Sequence, residues 1–150
     1  MKIVIQRVSK ASVTIHQNKV ANIQEGLLIL LGIVNDDTQQ DIDWLVRKVS
    51  NLRIFNDAQD VMNKSLIDVD GDVLVVSQFT LHASTKKGSR PSYVKAAKSE
   101  VAVPLYQQFV SSLETALNKK VQTGEFGADM KVELLNNGPV TIIIDSKIKE

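Results

Sequence analysis

Gly26 opens the run Leu27-Leu28-Ile29-Leu30-Leu31, in which no polar side chain interrupts the aliphatic ones. Side chains alternate between the faces of a strand, so a run of this kind fits a central β-strand buried on both faces. The longer stretch from Leu27 to Val34 is interrupted by Gly32 and is too short to cross a bilayer as a helix. A fold for this chain must therefore cover both sides of a sheet.

The rest of the chain reads as further strands and two helices. Lys2 to Ser9 and Ser12 to His16 alternate in a strand-like way, and Gln17-Asn18-Lys19 makes a hairpin turn before Val20 to Gln24. Thr38 and Asp41 form a capping box with Asp in place of Glu. After it, Ile42, Leu45, Val46, Val49 and Leu52 fall at helical spacing. Leu52 to Phe55 and Val73 to Thr80 read as strands, separated by a polar segment containing Asp70-Gly71-Asp72. A second helix is expected over Ser99 to Lys119, with Val101, Leu105, Phe109, Leu113 and Leu117 four residues apart. Lys119-Lys120 suits its negative end. Proline is tolerated only in or near a first turn, so this helix begins close to Pro104 or is kinked there. Gly124 and Gly127 bracket a loop, and strands Lys131 to Leu135 and Val140 to Asp145 close the chain. With 150 residues, 43% of them hydrophobic, the chain suffices for one core and is short for two. The expectation is a single α+β domain over residues 1–150.

Several function classes fall away on composition. Without cysteine there is no disulfide framework, thiolate nucleophile or cysteine metal site. Met1-Lys2-Ile3-Val4-Ile5-Gln6-Arg7 turns polar too soon for a signal peptide, which leads to the expectation of a soluble cytoplasmic protein with no membrane partner. A net charge of +1 gives no global sign of nucleic-acid binding, so such binding must rest on local charge. Lys86, Lys87, Arg90, Lys95 and Lys98 provide it, five positive charges in thirteen residues with no acidic one. The cluster suits phosphates of a nucleic acid, or is simply a solvated loop; Tyr93 within it stacks on a base or packs.

Conventional catalytic equipment is sparse. The histidines are His16 and His82. On a regular strand Thr80 and His82 share a face, but two-residue spacing sets them ~7 Å apart at the backbone. An exposed histidine at a strand end is the expectation for His82, and a surface position for His16. Asp68, Asp70 and Asp72 alternate as one acidic strand edge or loop, and no glutamate completes the calcium-loop spacing. No metal and no cofactor is expected.

Two short segments stand out instead. Ser77-Gln78-Phe79-Thr80-Leu81 ends an aliphatic strand with hydroxyl and amide side chains. Unpaired backbone N–H groups at such a terminus hold a carbonyl and stabilise an oxyanion, unless Ser and Thr merely end the strand by bonding their own backbone. Asn136-Asn137-Gly138-Pro139-Val140-Thr141 puts Gly-Pro in front of a strand, where a tight turn aims backbone carbonyls outward.

These segments resemble the two signature motifs of the D-aminoacyl-tRNA deacylases, and the resemblance is collinear over the whole chain. Gln6-Arg7-Val8-Ser9-Lys10-Ala11-Ser12-Val13 is similar to that family's first strands, and Gly26-Leu27-Leu28 with Leu31-Gly32 to its next strand. Arg53-Ile54-Phe55-Asn56-Asp57 with Met62-Asn63 matches its middle, Lys87-Gly88-Ser89-Arg90-Pro91-Ser92-Tyr93 follows the first signature, and Phe126-Gly127-Ala128-Asp129-Met130 precedes the second. His82-Ala83-Ser84 and Pro104 depart from the family pattern and put local geometry in doubt.

The resemblance implies a mostly antiparallel sheet or partly closed barrel with two main helices. It implies hydrolysis of the ester of D-aminoacyl-tRNA, and of mischarged glycyl-tRNA, by a homodimer. Ser77, Gln78, Phe79 and Thr80 would form the catalytic floor, with N–H groups near Phe79 and Thr80 as oxyanion donors. Gly138-Pro139, in cis, would enter the other subunit's pocket and exclude L side chains. Ala102, Phe126 and Met130 would line the adenosine side, and Lys86, Lys87 and Arg90 would meet the tRNA. The terminal 2′-hydroxyl of the tRNA would help activate water, so Thr80 would not be a covalent nucleophile. Two other readings remain open at this point. One is a module that binds aminoacyl-tRNA or a D-amino acid without turnover, and the other is a dimeric structural protein whose Gly-Pro turn serves assembly.

Overall fold

The computed structural model describes residues 1–149. Its centre is a six-stranded mixed sheet in the order β2 (Asn18–Ile23), β1 (Lys2–Ile15), β3 (Gly26–Gly32), β6 (Asp72–Ser77) and β7 (Gln122–Thr123), with β8 (Lys131–Asp145) on the other edge of β1. Strand β1 (Lys2–Ile15) is one long strand where the sequence suggested two. Its first half pairs antiparallel with β3 (Gly26–Gly32) and its second half with β2 (Asn18–Ile23). β3 pairs in parallel with β6 (Asp72–Ser77), which pairs in parallel with the short β7 (Gln122–Thr123). Contacts from β2 back to β6 and β7 curl the sheet nearly into a barrel.

The Leu27 to Leu31 run is buried on both faces, as its composition requires. Leu27, Ile29 and Leu31, with Val73, Val75, Ile3 and Ile5, belong to the core under the helices. Leu28, Leu74 and Val76 belong to a second core with Val8, Val13 and Ile23 inside the curl. Alternation at period two sorts these residues between the layers.

Helix α1 (Gln39–Asn51) starts where Thr38 and Asp41 place it. The Asp41 carboxylate accepts from the Thr38 N–H at 2.8 Å and from its hydroxyl at 3.2 Å. Helix α2 (Ser99–Leu117) buries Ala102, Tyr106, Phe109 and Leu113, while Val101 is exposed. A strict four-residue repeat runs ahead of a 3.6-residue turn, so the expected stripe holds at Phe109 and Leu113 and rotates off the core at its ends. Pro104 lies inside the helix, beyond the first turn. Lys119 follows the left-handed Asn118 that ends the helix, and its ammonium meets Asp70 at 3.3 Å and Asp72 at 3.0 Å. Asp68 instead accepts from the Ser65 N–H, so the three aspartates do not form one edge.

The expected strand from Leu52 to Phe55 shrinks to β4 (Phe55–Asn56), paired with β5 (Met62–Lys64). The two C-terminal strands are one, β8 (Lys131–Asp145), antiparallel to β1 with register shifts around Val8. Among the described residues no helix is long and apolar enough to cross a membrane.

Candidate active site

The parallel strands β3 and β6 end side by side, with Leu31 opposite Ser77, and Gln78 N–H extends the pairing by donating to the Leu31 carbonyl at 2.8 Å. The chain then leaves the sheet in a 3-10 turn, Phe79–His82. This corrects the expected strand to Thr80. A 3-10 turn has three residues per revolution, so residues two apart no longer share a face and the Thr80–His82 pairing is lost. His82 is not exposed either. It is half-buried, with Nε2 buried.

A 3-10 helix leaves its first N–H groups without intrahelical partners. Among the described residues no acceptor is paired with the N–H of Phe79 or Thr80. Beside them the Gln78 side-chain amide donates to Thr80 Oγ1 at 2.6 Å.

A cavity of about 320 Å³ opens at this point. Val76, Ser77, Gln78 and Phe79 form one wall with Leu31 and Ile33; Ala97 and Ala102 come from the start of α2 and the segment before it; Phe126 to Met130 and Val132 close the far side. Six expected site residues thus meet in one cavity: Ser77, Gln78, Phe79, Ala102, Phe126 and Met130. Thr80 joins through its bond to Gln78.

The walls are set by neighbours. Tyr106 donates its hydroxyl to the Val75 carbonyl at 2.8 Å and meets the Phe126 ring edge-on at 5.8 Å. Burial pushes the Tyr106 phenol up to about 12. A Cβ at Gly124 would collide with the Met130 sulfur, so glycine there lets the thioether pack down. The one titratable side chain on the lining is Asp129, which pairs with Lys131 at 3.0 Å. Among the described residues the lining carries no side-chain acid–base pair, and beside apolar contact it offers the Ser77 hydroxyl, the Gln78 amide and the backbone at Phe79.

Gly138 and Pro139 lie elsewhere, exposed on β8 and absent from the cavity wall. Their peptide bond is cis. Arg7 holds the segment. It is buried, and it donates from Nε to the Asn137 carbonyl at 2.9 Å and from Nη1 to the Ile54 carbonyl at 2.6 Å and Asn56 Oδ1 at 3.0 Å. Gly138 has φ 133°, and an added Cβ would sit 2.9 Å from Arg7 Nη2. Asn136 Oδ1 accepts from the Val140 N–H at 3.2 Å. Sequence reasoning gave Arg7 no role, although alternation from Ile3 and Ile5 aims it inward, where an arginine must find acceptors.

Lys86, Lys87 and Arg90 are exposed and make no ion pair among the described residues. Their loop is pinched by reciprocal backbone bonds between Ser84 and Ser92. It is tied to the cavity rim by Tyr93, edge-on to Phe79 at 5.0 Å, and by the Ala97 N–H bond to the Ile33 carbonyl.

Residues 4–145 match the family described as D-Tyr-tRNA(Tyr) deacylase. A D-aminoacyl-tRNA deacylase of Flavobacterium psychrophilum is 68% identical over 150 residues, covering 100% of both chains, and one of Flavobacterium johnsoniae is 65% identical over the same span. A solved structure described as "c-Myc DNA Unwinding Element Binding Protein" is 39% identical at TM-score 0.91, covering 97% of this chain and 98% of that one. Another, described as a probable eukaryotic D-amino acid tRNA deacylase, shares the fold at TM-score 0.83 and 16% identity, covering 95% and 97%. With a match that takes in nearly all of it and relatives this similar along their full length, the chain belongs to the D-Tyr-tRNA(Tyr) deacylase family of hydrolases.

Proposed function

We propose that the protein hydrolyses the ester of D-aminoacyl-tRNA, releasing the free D-amino acid and tRNA. The observation that carries this reading is the cavity beside the unpaired N–H groups of Phe79 and Thr80. Water adds to the ester carbonyl, the oxygen gains negative charge, and the two N–H groups stabilise it. The bond to the terminal ribose oxygen then breaks, and that oxygen takes up a proton. An aminoacyl ester is already activated, so positioning and oxyanion stabilisation suffice without a protein nucleophile. The terminal 2′-hydroxyl of the tRNA stands in for the missing side-chain base.

The chiral filter in this reading is the exposed Gly138-Pro139, which enters the cavity of a second copy in a homodimer. The Gly138 and Pro139 carbonyls, on a segment that Arg7 anchors through the preceding Asn137 carbonyl, occupy the space an L side chain needs. Discrimination by such a clash exceeds the ~1–3 kcal/mol that a methylene supplies. Glycine, with no side chain, passes the same filter, so glycyl-tRNA is a second substrate. Lys86, Lys87 and Arg90 contact the tRNA phosphates beside the cavity.

The test is release of amino acid from matched D-tyrosyl- and L-tyrosyl-tRNA by EDTA-treated protein. Loss of the D-ester alone supports the reading. Equal stability of both esters contradicts it and favours binding without turnover.

A further inference from the structure

Gly32 ends β3 and is buried there. A glycine within a strand forfeits a packing side chain and often marks the close approach of another backbone. A Cβ built on Gly32 would lie 3.0 Å from the Gln78 carbonyl oxygen, 3.0 Å from His82 Cδ2 and 3.1 Å from His82 Nε2. Gln78 caps the start of the 3-10 turn, and His82 is its last residue. Both ends of the turn therefore rest on one glycine. Leu31 and Ile33, on either side of it, line the cavity, and Leu31 also accepts the Gln78 N–H.

The imidazole makes this contact by shape. Its Nε2 is buried with no hydrogen-bond partner among the described residues, so no polar bond to them at that atom fixes the ring. Close packing fixes it instead, and packed interiors pass on small displacements.

We propose that Gly32 and His82 form a wedge that sets the height of the 3-10 turn over β3 and so aims the N–H groups of Phe79 and Thr80. They are positioning residues for ester hydrolysis, a role that rests on the deacylase reading above. A methyl group at position 32 must move both the Gln78 carbonyl and the imidazole by a few tenths of an ångström. Either movement tilts the donors away from the forming oxyanion.

A double-mutant cycle on D-tyrosyl-tRNA hydrolysis tests this. Gly32→Ala should lower kcat about tenfold with KM within about twofold, because the donors are misplaced only where charge develops. His82→Ala alone should cost roughly threefold, and Gly32→Ala with His82→Ala should lose clearly less than the product of the two single losses, because the contact with the imidazole is relieved while that with the Gln78 carbonyl remains. Wild-type kcat in Gly32→Ala, or losses that simply multiply in the double variant, overturns the wedge. If Gly32→Ala does not fold, His82→Phe decides. The ring's shape alone should keep kcat within about twofold, and a loss equal to that of His82→Ala contradicts the proposal. A parent protein inactive on the D-ester would instead be a failure of the deacylase reading, separable from all of these.

Discussion

The Nε–H of Arg7 donates to the carbonyl oxygen of Asn137 at 2.9 Å, so a buried guanidinium on β1 fixes the residue that precedes Gly138 on β8. The same side chain reaches Ile54 and Asn56. One planar fork thus ties the exposed Gly-Pro turn to β1 and to the short β4 hairpin.

An Arg7→Lys variant keeps the charge and loses the fork, since a single ammonium cannot serve three acceptors in that geometry. The expected cost is about 2 kcal/mol in urea unfolding. The ratio of D- to L-tyrosyl-tRNA hydrolysis should fall as well, because the segment that carries the Gly138 and Pro139 carbonyls loses its anchor at Asn137.

The basic loop should matter for tRNA and not for chemistry. Replacing Lys86, Lys87 and Arg90 together with alanine should raise KM for D-tyrosyl-tRNA about tenfold or more at low salt, and flatten the salt dependence by roughly two units of slope. Hydrolysis of a short D-aminoacyl-adenosine ester, which lacks the phosphates, should barely change. An equal loss on both substrates would place these residues in the site itself.

Tyr106 predicts an alkaline limit. Its folded pKa, about 12, lies above the ordinary 10.0, so the neutral phenol is the form the fold favours. Stability from this group is complete below pH 10 and is lost as pH rises toward 12. Tyr106→Phe should cost about 1 kcal/mol at neutral pH through the lost bond to Val75, and should show less of the alkaline decline. Thermal unfolding of both proteins from pH 8 to 11 checks this.

Asp41 sets the opposite limit. Burial raises its pKa, but hydrogen bonds from Ser146, Thr38 and Lys147 outweigh that and hold the carboxyl well below the usual range. The stabilisation is present above the ordinary carboxylate pKa and lost as pH falls below it. Asp41→Asn should therefore destabilise by about 2 kcal/mol at pH 7 and by much less near pH 2.

Much of the architecture was legible because it follows from local chemistry. The Leu27 to Leu31 run, the Thr38–Asp41 box and the stripe on α1 each depend on periodicity or on a bond between near neighbours. The turn after Ser77 was not legible, because strand-like residues continue past the point where β6 leaves β3. The start of α2 rotated off expectation because a four-residue repeat drifts against a 3.6-residue turn, which brings Ala102 and not Val101 onto the core. The far wall at Phe126 to Met130 is joined to the Ser77 wall only by folding, so resemblance and not spacing pointed to it. Arg7 was readable as inward-facing but not as the anchor of Asn137, which lies at the other end of the chain.

If the cavity of one protomer is filtered by Gly138-Pro139 of another, as proposed above, mixed protomers reveal it most directly. Gly138→Ala, whose methyl meets Arg7, should hydrolyse L-tyrosyl-tRNA as well as the D-ester. Ala102→Phe, which fills the cavity, should hydrolyse neither. In a dimer of the two, the working cavity belongs to the Gly138→Ala protomer but faces an intact Gly138-Pro139. The expected result is a D-to-L rate ratio restored to that of the parent protein. A ratio that stays at the Gly138→Ala value, or parent-like activity from a monomer, would contradict it.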